Sequence, residues 1–337
     1  MCNAASMRKG FTLSEFLVVL GLVGALLSLA VPAVQRSRGA ARRVECKNRL
    51  RQIGVALQSH YASRHVYPRG GDWQTPAGQM MNHSPHVHLL PHLGESTAYK
   101  EIDFTAAASN AGVSPLLTSS NKPVIPTFIC PANVNSAAPQ RNNYRANIGI
   151  TAFPRDPNVP RNPSLQAAGA FYPTNKDLSD SSFPDGLSHT IGFAERVNGD
   201  GVESRYAPGR DVFHITPVSL SNVIRNSPRS EHLILAECES LIVTLPQHYS
   251  RLGEYWMYSG FLDTWYNHIL TPNHAIPDCG FVSGISGAAV VTARSPHPGG
   301  VNCLFMDGRV AFIADTIAHP VWTALGTRNG LETADAF

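Results

Sequence analysis

Between Phe16 and Val34 the chain runs for 19 residues without a charge, and no other feature constrains its fold as much. At about 1.5 Å of rise per residue, a helix of that length reaches about 28 Å, close to the roughly 30 Å hydrocarbon core of a bilayer. The apolar core of a cleavable secretory signal is shorter, about 7–15 residues, and precedes a small-x-small cleavage site. Ala30-Val31-Pro32-Ala33 supplies a poor one. The run therefore reads as a retained membrane helix, Phe11 to about Val34.

The remaining composition suits one such helix and no more. The 337 residues are 43% hydrophobic and 15% charged, low in charge for a soluble enzyme yet too polar for several membrane spans. The 27 glycines and 25 prolines are spread along the chain, which favours turns and short strands over a helical bundle. Charge is uneven. Residues 1–51 hold nine Lys/Arg against Glu15 and Glu45, a net +7, which leaves −4 on the remainder of a chain whose total is +3. A basic collar beside an apolar helix suits anionic lipid headgroups. A mildly acidic remainder without a recognition motif argues against nucleic acid. By cation count alone the collar belongs on the cytoplasmic side, but long domains translocate largely regardless of charge.

Beyond the run, Pro32 is expected to kink the helix rather than end it, because helical periodicity resumes. Cys46, Leu50, Ile53, Leu57 and Tyr61 fall on one helical face, so the rear half of a helix over 11–64 is amphipathic and should pack on a globular head, 65–337. Cys46 on this stripe reads as a core residue. Strands are expected at Val124–Cys130, Ile191–Glu195, His232–Ala236 and Leu241–Leu245, joined by long Pro/Asn/Ser-rich loops. Near the end, Val301–Met306 and Arg309–Ile313 flank Asp307-Gly308, the signal of a hairpin with a two-residue type I′ turn. A short helix over Val321–Leu325 follows Pro320. The fold class expected is α+β, with a long N-terminal helix on a mainly antiparallel head. Six cysteines include no C-x-x-C pair, and their pairing is not deducible from spacing.

The leader adds a resemblance. Arg8-Lys9-Gly10, then Phe11-Thr12-Leu13-Ser14-Glu15, is similar to the type IV prepilin leader, although Ser14 stands where an aliphatic residue is usual. The resemblance implies that a prepilin peptidase cleaves between Gly10 and Phe11 and methylates the new amine. Residues 1–10 would then be the discarded leader, inside the cell, with the head outside. Glu15 would pair with the N-terminal amine of a neighbouring pilin-like subunit. A lone carboxylate at a membrane helix is costly unless partnered, which makes Glu15 a functional candidate on physical grounds too. Cleavage leaves five cysteines, so at least one is free or intermolecular.

A second resemblance covers, with gaps, Gly10 to about Glu332. His297 is followed by nine residues and then Asp307-Gly308, similar to the H-X9-DG motif of a large prepilin-leader family whose head is a domain of unknown function. The stretches "HVHLLPHLGE", "FICPAN", "NYRANIG", "DGLSHTIGFAER" and "WTALGTRNG" also resemble that family. It implies a pilin-like architecture and no known activity.

His297 and Asp307 invite a ligand-binding reading, but a tight turn wants Asp307-Gly308 for itself, Gly299-Gly300 ease entry to the strand, and His297 could hydrogen-bond the hairpin. His83, His86, His88 and His92 are dense, but Leu89-Leu90-Pro91 interrupts any preformed set. Asp177, Asp180 and Asp185 are a candidate calcium cluster without EF-hand spacing. No cofactor or metal is assigned. Serine-hydrolase, P-loop, zincin and dinucleotide motifs are absent, and the chain is expected not to be an enzyme. The reading is a membrane-anchored pilin-like or pseudopilin-like structural protein of a type II secretion or type IV pilus-like system. The alternative is a surface-displayed binding protein that uses the leader only for processing.

Overall fold

The computed structural model describes residues 12–71, 83–102, 104, 123–133, 142–152, 168–173, 177–214, 236, 238–239, 248–281 and 288–330. Gly10, Phe11, residues 232–235 and the strand expected at Leu241–Leu245 lie outside them. The chain divides into two compact units, Met1–Val44 and Glu45–Phe337.

Helix α1 (Leu13–Arg64) is 52 residues long and contributes to both units. Thr12 caps it: its hydroxyl accepts from the Glu15 N–H at 3.3 Å, while its own N–H and hydroxyl donate to Glu15 Oε2, each at 2.9 Å. This is a capping box, T-x-x-E, which satisfies orphan N–H groups at a helix start. The helix passes through Pro32, as expected. Its front part is long and apolar enough to cross a membrane. In this first unit the large apolar side chains lie open, Leu13 at 77% and Leu29 at 74% exposure.

In the second unit the character of α1 inverts. Cys46, Leu50, Ile53, Gly54, Ala56, Leu57 and His60 are buried, following the stripe read from the sequence. The helix ends where His65 turns left-handed (φ 56°) and its N–H bonds Tyr61 O at 2.7 Å. That geometry satisfies a terminal carbonyl.

Two sheets follow. The first contains β1 (Tyr144–Asn147), β2 (Ile191–Glu195), β5 (Trp265–Tyr266), β8 (Gly300–Phe305) and β9 (Val310–Ala314), in the order β5-β1-β2-β8-β9. The second contains β3 (Val212–His214), β4 (His248–Tyr249), β6 (Cys279–Phe281) and β7 (Ala288–Val290), in the order β4-β3-β6-β7. Only β1–β5 and β3–β6 are parallel among these pairs. The class is α+β with mostly antiparallel sheets, as expected. Short helices α2 (Pro85–Leu89), α3 (Ser96–Lys100) and α4 (His319–Gly326) complete the elements that matter here. Strands β1, β2 and β8 are buried along their whole length, so any polar side chain on them must find a partner inside the protein.

Two expectations need correction. Val124–Cys130 is not a strand: Pro126–Phe128 forms a 3-10 turn. Pro126 has no N–H to give a ladder, and its fixed φ starts the turn instead. The β8–β9 hairpin does not use a two-residue type I′ loop. The Phe305 N–H bonds Arg309 O at 2.8 Å, the Gly308 N–H bonds Phe305 O at 3.0 Å, and of the turn residues only Gly308 has positive φ (90°). Met306, Asp307 and Gly308 thus form a three-residue loop, a type I turn closed by a left-handed glycine. Asp307 remains at negative φ, which spares an L-residue the cost of the left-handed region.

Among the described residues two disulfides are present, Cys46–Cys130 and Cys238–Cys279, and Cys303 is free and buried. The first ties α1 to the 3-10 segment. Arg49 reinforces this tie, with Nη1 donating to Pro126 O at 2.7 Å and to Ile129 O.

Candidate functional site

Glu195 ends β2 and is almost wholly buried, at 1% exposure. Burying a carboxylate is costly unless donors replace its water. The register supplies them. Strand β2 runs antiparallel to β8, with Ala194 opposite Cys303, which brings Asn302 beside Glu195. The Asn302 N–H donates to Glu195 Oε2 at 2.8 Å, and Asn302 Nδ2 donates to Oε1 at 3.0 Å. The Ser295 hydroxyl donates to Oε2 at 2.9 Å and accepts the His297 backbone N–H at 3.1 Å. His297 Nε2 lies 3.4 Å from Oε1 and 3.9 Å from Cys130 Sγ. The carboxylate, the imidazole and the Cys46–Cys130 disulfide therefore share one buried spot, with their ligand-type atoms all within 4.8 Å of one another.

His297 is thus engaged away from the hairpin turn. Strand β8 separates it from Asp307, about 20 Å of chain for six residues. The two do not meet, so no ligand or proton is shared between them. Asp307 Oδ1 accepts the Arg309 N–H at 2.8 Å, the local bond that tight turns use. The turn docks on α1, where Gln58 Nε2 donates to Met306 O at 2.6 Å. The H-X9-DG spacing marks the two ends of one strand: the histidine faces a buried carboxylate and the Asp-Gly pair seats the hairpin on the helix.

A second buried charge group lies nearby in sequence. Arg196 Nη2 meets Asp278 Oδ2 at 2.8 Å, and Arg294 Nη2 meets Oδ1 at 2.9 Å. Burial opposes the charge on Asp278, but Arg294 and Arg196 hold its carboxyl below the ordinary range. Asp211 sits differently: burial pushes its carboxyl up to about 6, against the Ala207 N–H bonded to it. Arg145 is fully buried, donates to the carbonyls of Phe261, Leu262 and Trp265, and is lowered by burial to about 9. These groups knit loops together rather than lining a site.

The other sequence candidates disperse. His86 Nε2 bonds Tyr144 O at 2.6 Å, and burial lowers it to about 4. His88 and His92 approach His60, with ring centroids at 6.3 and 5.8 Å, and His83 packs on Phe104 at 4.9 Å. Asp177 pairs with Arg69, Asp180 accepts the Tyr67 hydroxyl, and Asp185 accepts the Gly330 N–H. Each carboxylate of the proposed calcium cluster is turned to a different partner. Glu15 bonds Thr12, as described above. Among the described residues, sequence reasoning missed Glu195, although a Glu-Arg pair closing an apolar strand run was visible as a buried-charge signal.

Residues 35–319 match a family model described as a protein of unknown function, DUF1559. No curated protein matches the chain. No solved structure matches it.

Proposed function

The chain belongs to the DUF1559 family of proteins of unknown function, and we propose that it is a membrane-anchored, pilin-like or pseudopilin-like structural protein. In this reading a prepilin peptidase cleaves after Gly10, and Phe11 to about Val34 stays in the cytoplasmic membrane. The head lies outside, and the protein serves a type II secretion or type IV pilus-like system. The observation that carries it is the run of open apolar side chains from Leu13 to Val34, directly behind a prepilin-like junction. Such a surface needs lipid or neighbouring helices around it. The two disulfides suit a head in an oxidising compartment. The partners are the peptidase, other pilin-like subunits and membrane lipid, and the head has no catalytic role.

Mass spectrometry of the protein from membranes of a host with a prepilin peptidase tests this. The expected mature chain begins at an N-methylated Phe11. An intact leader, or a cut inside the apolar run, would refute it.

One observation favours the second reading, a surface-displayed binding protein that needs no assembly. The Glu15 carboxylate already has donors from Thr12 within its own chain. Loss of filament incorporation in Glu15→Ala supports the first reading; unchanged behaviour supports the second.

A further inference from the structure

We propose that Cys46, Cys130, His297 and Glu195 form a Zn2+ site in the dithiol form of this protein, of which the Cys46–Cys130 disulfide is the oxidised, metal-free state. The proposal is independent of the pilin-like reading.

Four side chains of three ligand types converge on one buried point, and among the described residues no other group does so. Zinc bound to sulfur at about 2.3 Å and to nitrogen and oxygen at about 2.0 Å has tetrahedral edges of about 3.3–3.8 Å. The His297 Nε2 to Glu195 Oε1 separation of 3.4 Å falls in that range, and Nε2 to Cys130 Sγ at 3.9 Å lies just outside it. The S–S bond is far shorter than any such edge, and the ligand atoms as a set lie within 4.8 Å of one another. Once it breaks, the two sulfurs repel to non-bonded contact, about the separation two zinc thiolates need.

The surroundings suit a metal ligand set. Oε2 of Glu195 is held by Ser295 and the Asn302 N–H, which fixes the carboxylate, and Oε1, which accepts one bond from Asn302 Nδ2, faces His297 Nε2 with its remaining lone pair. Outer-shell hydrogen bonds of this kind orient first ligands. A single ring nitrogen, Nε2, faces both the carboxylate and the sulfur, so the histidine points at a shared centre. A proton relay would use both nitrogens. Two thiolates, one imidazole and one carboxylate favour Zn2+ over Ca2+ or Mg2+, and four protein ligands make the site closed and structural.

The chemistry balances. Zn2+ displaces one proton from each thiol and binds His297 through Nε2, the ring proton residing on Nδ1. In the reverse direction a disulfide donor, protein or small molecule, accepts two electrons from the thiolates. The Cys46–Cys130 bond forms, the donor's S–S bond breaks and takes up two protons, and Zn2+ leaves. Helix α1 would stay tied to the segment around Cys130 in either state.

The test uses the full chain in detergent, reduced with a phosphine without oxygen, with Zn2+ alone and then Co2+ alone as probes. The reduced chain is expected to bind one Zn2+ that the oxidised chain does not. Co2+ should give thiolate charge-transfer and the intense d–d bands of a tetrahedral site. Cys46→Ser should halve the charge-transfer band, and His297→Ala should weaken Zn2+ binding by about tenfold or more. Glutathione disulfide should release the metal in step with loss of two thiols. The proposal is overturned if the reduced chain binds no Zn2+. It is also overturned if binding is the same in Cys46→Ser and His297→Ala, which would place the metal on Cys238, Cys279 or Cys303. Should Cys46→Ser not fold, Glu195→Gln, which keeps both thiols, decides the matter: an unaltered Zn2+ affinity there sinks the site.

Discussion

Gly54 of α1 lies against Gly308 of the β8–β9 turn. A Cβ on Gly54 would come within 3.3 Å of the Gly308 carbonyl oxygen and 2.8 Å of Leu304 Cδ1. Helix and hairpin therefore touch backbone to backbone, and the Asp-Gly pair of the motif serves this contact. Gly54→Val should force the hairpin from the helix, at about 1–3 kcal/mol from overpacking. Gly308→Ala should cost about 1–2 kcal/mol, because the left-handed φ strains any L-residue, while the added Cβ would meet only Gln58 Cγ at an ordinary 3.7 Å. Thermal or denaturant unfolding of the full chain checks both. An unaltered midpoint in Gly54→Val would mean that the contact does not set the helix–hairpin spacing.

Glu195 holds Ser295, Asn302 and His297 about one buried carboxylate. Removing it leaves the Asn302 N–H and the Ser295 hydroxyl without their acceptor in a buried site. Glu195→Ala should cost about 3–5 kcal/mol, from the orphaned donors and the cavity together. Asn302→Ala should cost less, because its backbone N–H still reaches Oε2. If unfolding midpoints ranked the two variants in the opposite order, Glu195 would not be the centre of the network.

These relations show where the sequence was legible. Helix α1 could be read because Cys46, Leu50, Ile53 and Leu57 repeat with helical period, and all four are buried. Ile191–Glu195 could be read as a strand to the residue, as a short apolar run between turns. Val124–Cys130 looked the same by composition, and Pro126 made it a turn. His297 stood out by its spacing to Asp307, but a spacing names no partner. Glu195 and Cys130 reach His297 only through the β2–β8 register and the packing of the 3-10 segment on α1. The cysteine pairing was hidden for the same reason: it is a property of tertiary contact, and five or six thiols leave many pairings open.

Stability should fall as the medium is acidified. Burial lowers His86 to about 4 and His268 to about 3, so the folded chain takes up these protons less readily than the unfolded chain. A depressed folded pKa means the stability is present above about 6.5 and is lost as pH falls toward the folded values, on the order of 3 kcal/mol for each site. Asp211, raised to about 6 by burial, acts in the opposite sense: its contribution is present below its ordinary value and is lost as pH rises through 6. The melting temperature should therefore drop between pH 6.5 and 4, with Asp211 softening the drop. Asp211→Asn should stabilise the chain at pH 7 by on the order of 2 kcal/mol and leave it nearly unchanged at pH 4. A variant that stabilises equally at both pH values would remove Asp211 from this balance.

Glu15 carries two separable properties, a side chain that caps and a charge that can pair. The capping box needs an acceptor three residues after Thr12, and glutamine serves that geometry as well as glutamate. An ammonium on a neighbouring subunit needs the charge. Glu15→Gln should therefore keep the helix start intact, whereas Thr12→Ala should fray it, at about 0.5–2 kcal/mol. If the carboxylate works in assembly, Glu15→Gln will block incorporation into filaments and Thr12→Ala will not. If capping is its whole task, Thr12→Ala will be the more damaging change and Glu15→Gln will assemble or function as wild type. Co-purification of tagged and untagged subunits from membranes, with helix content measured on each variant, separates these outcomes.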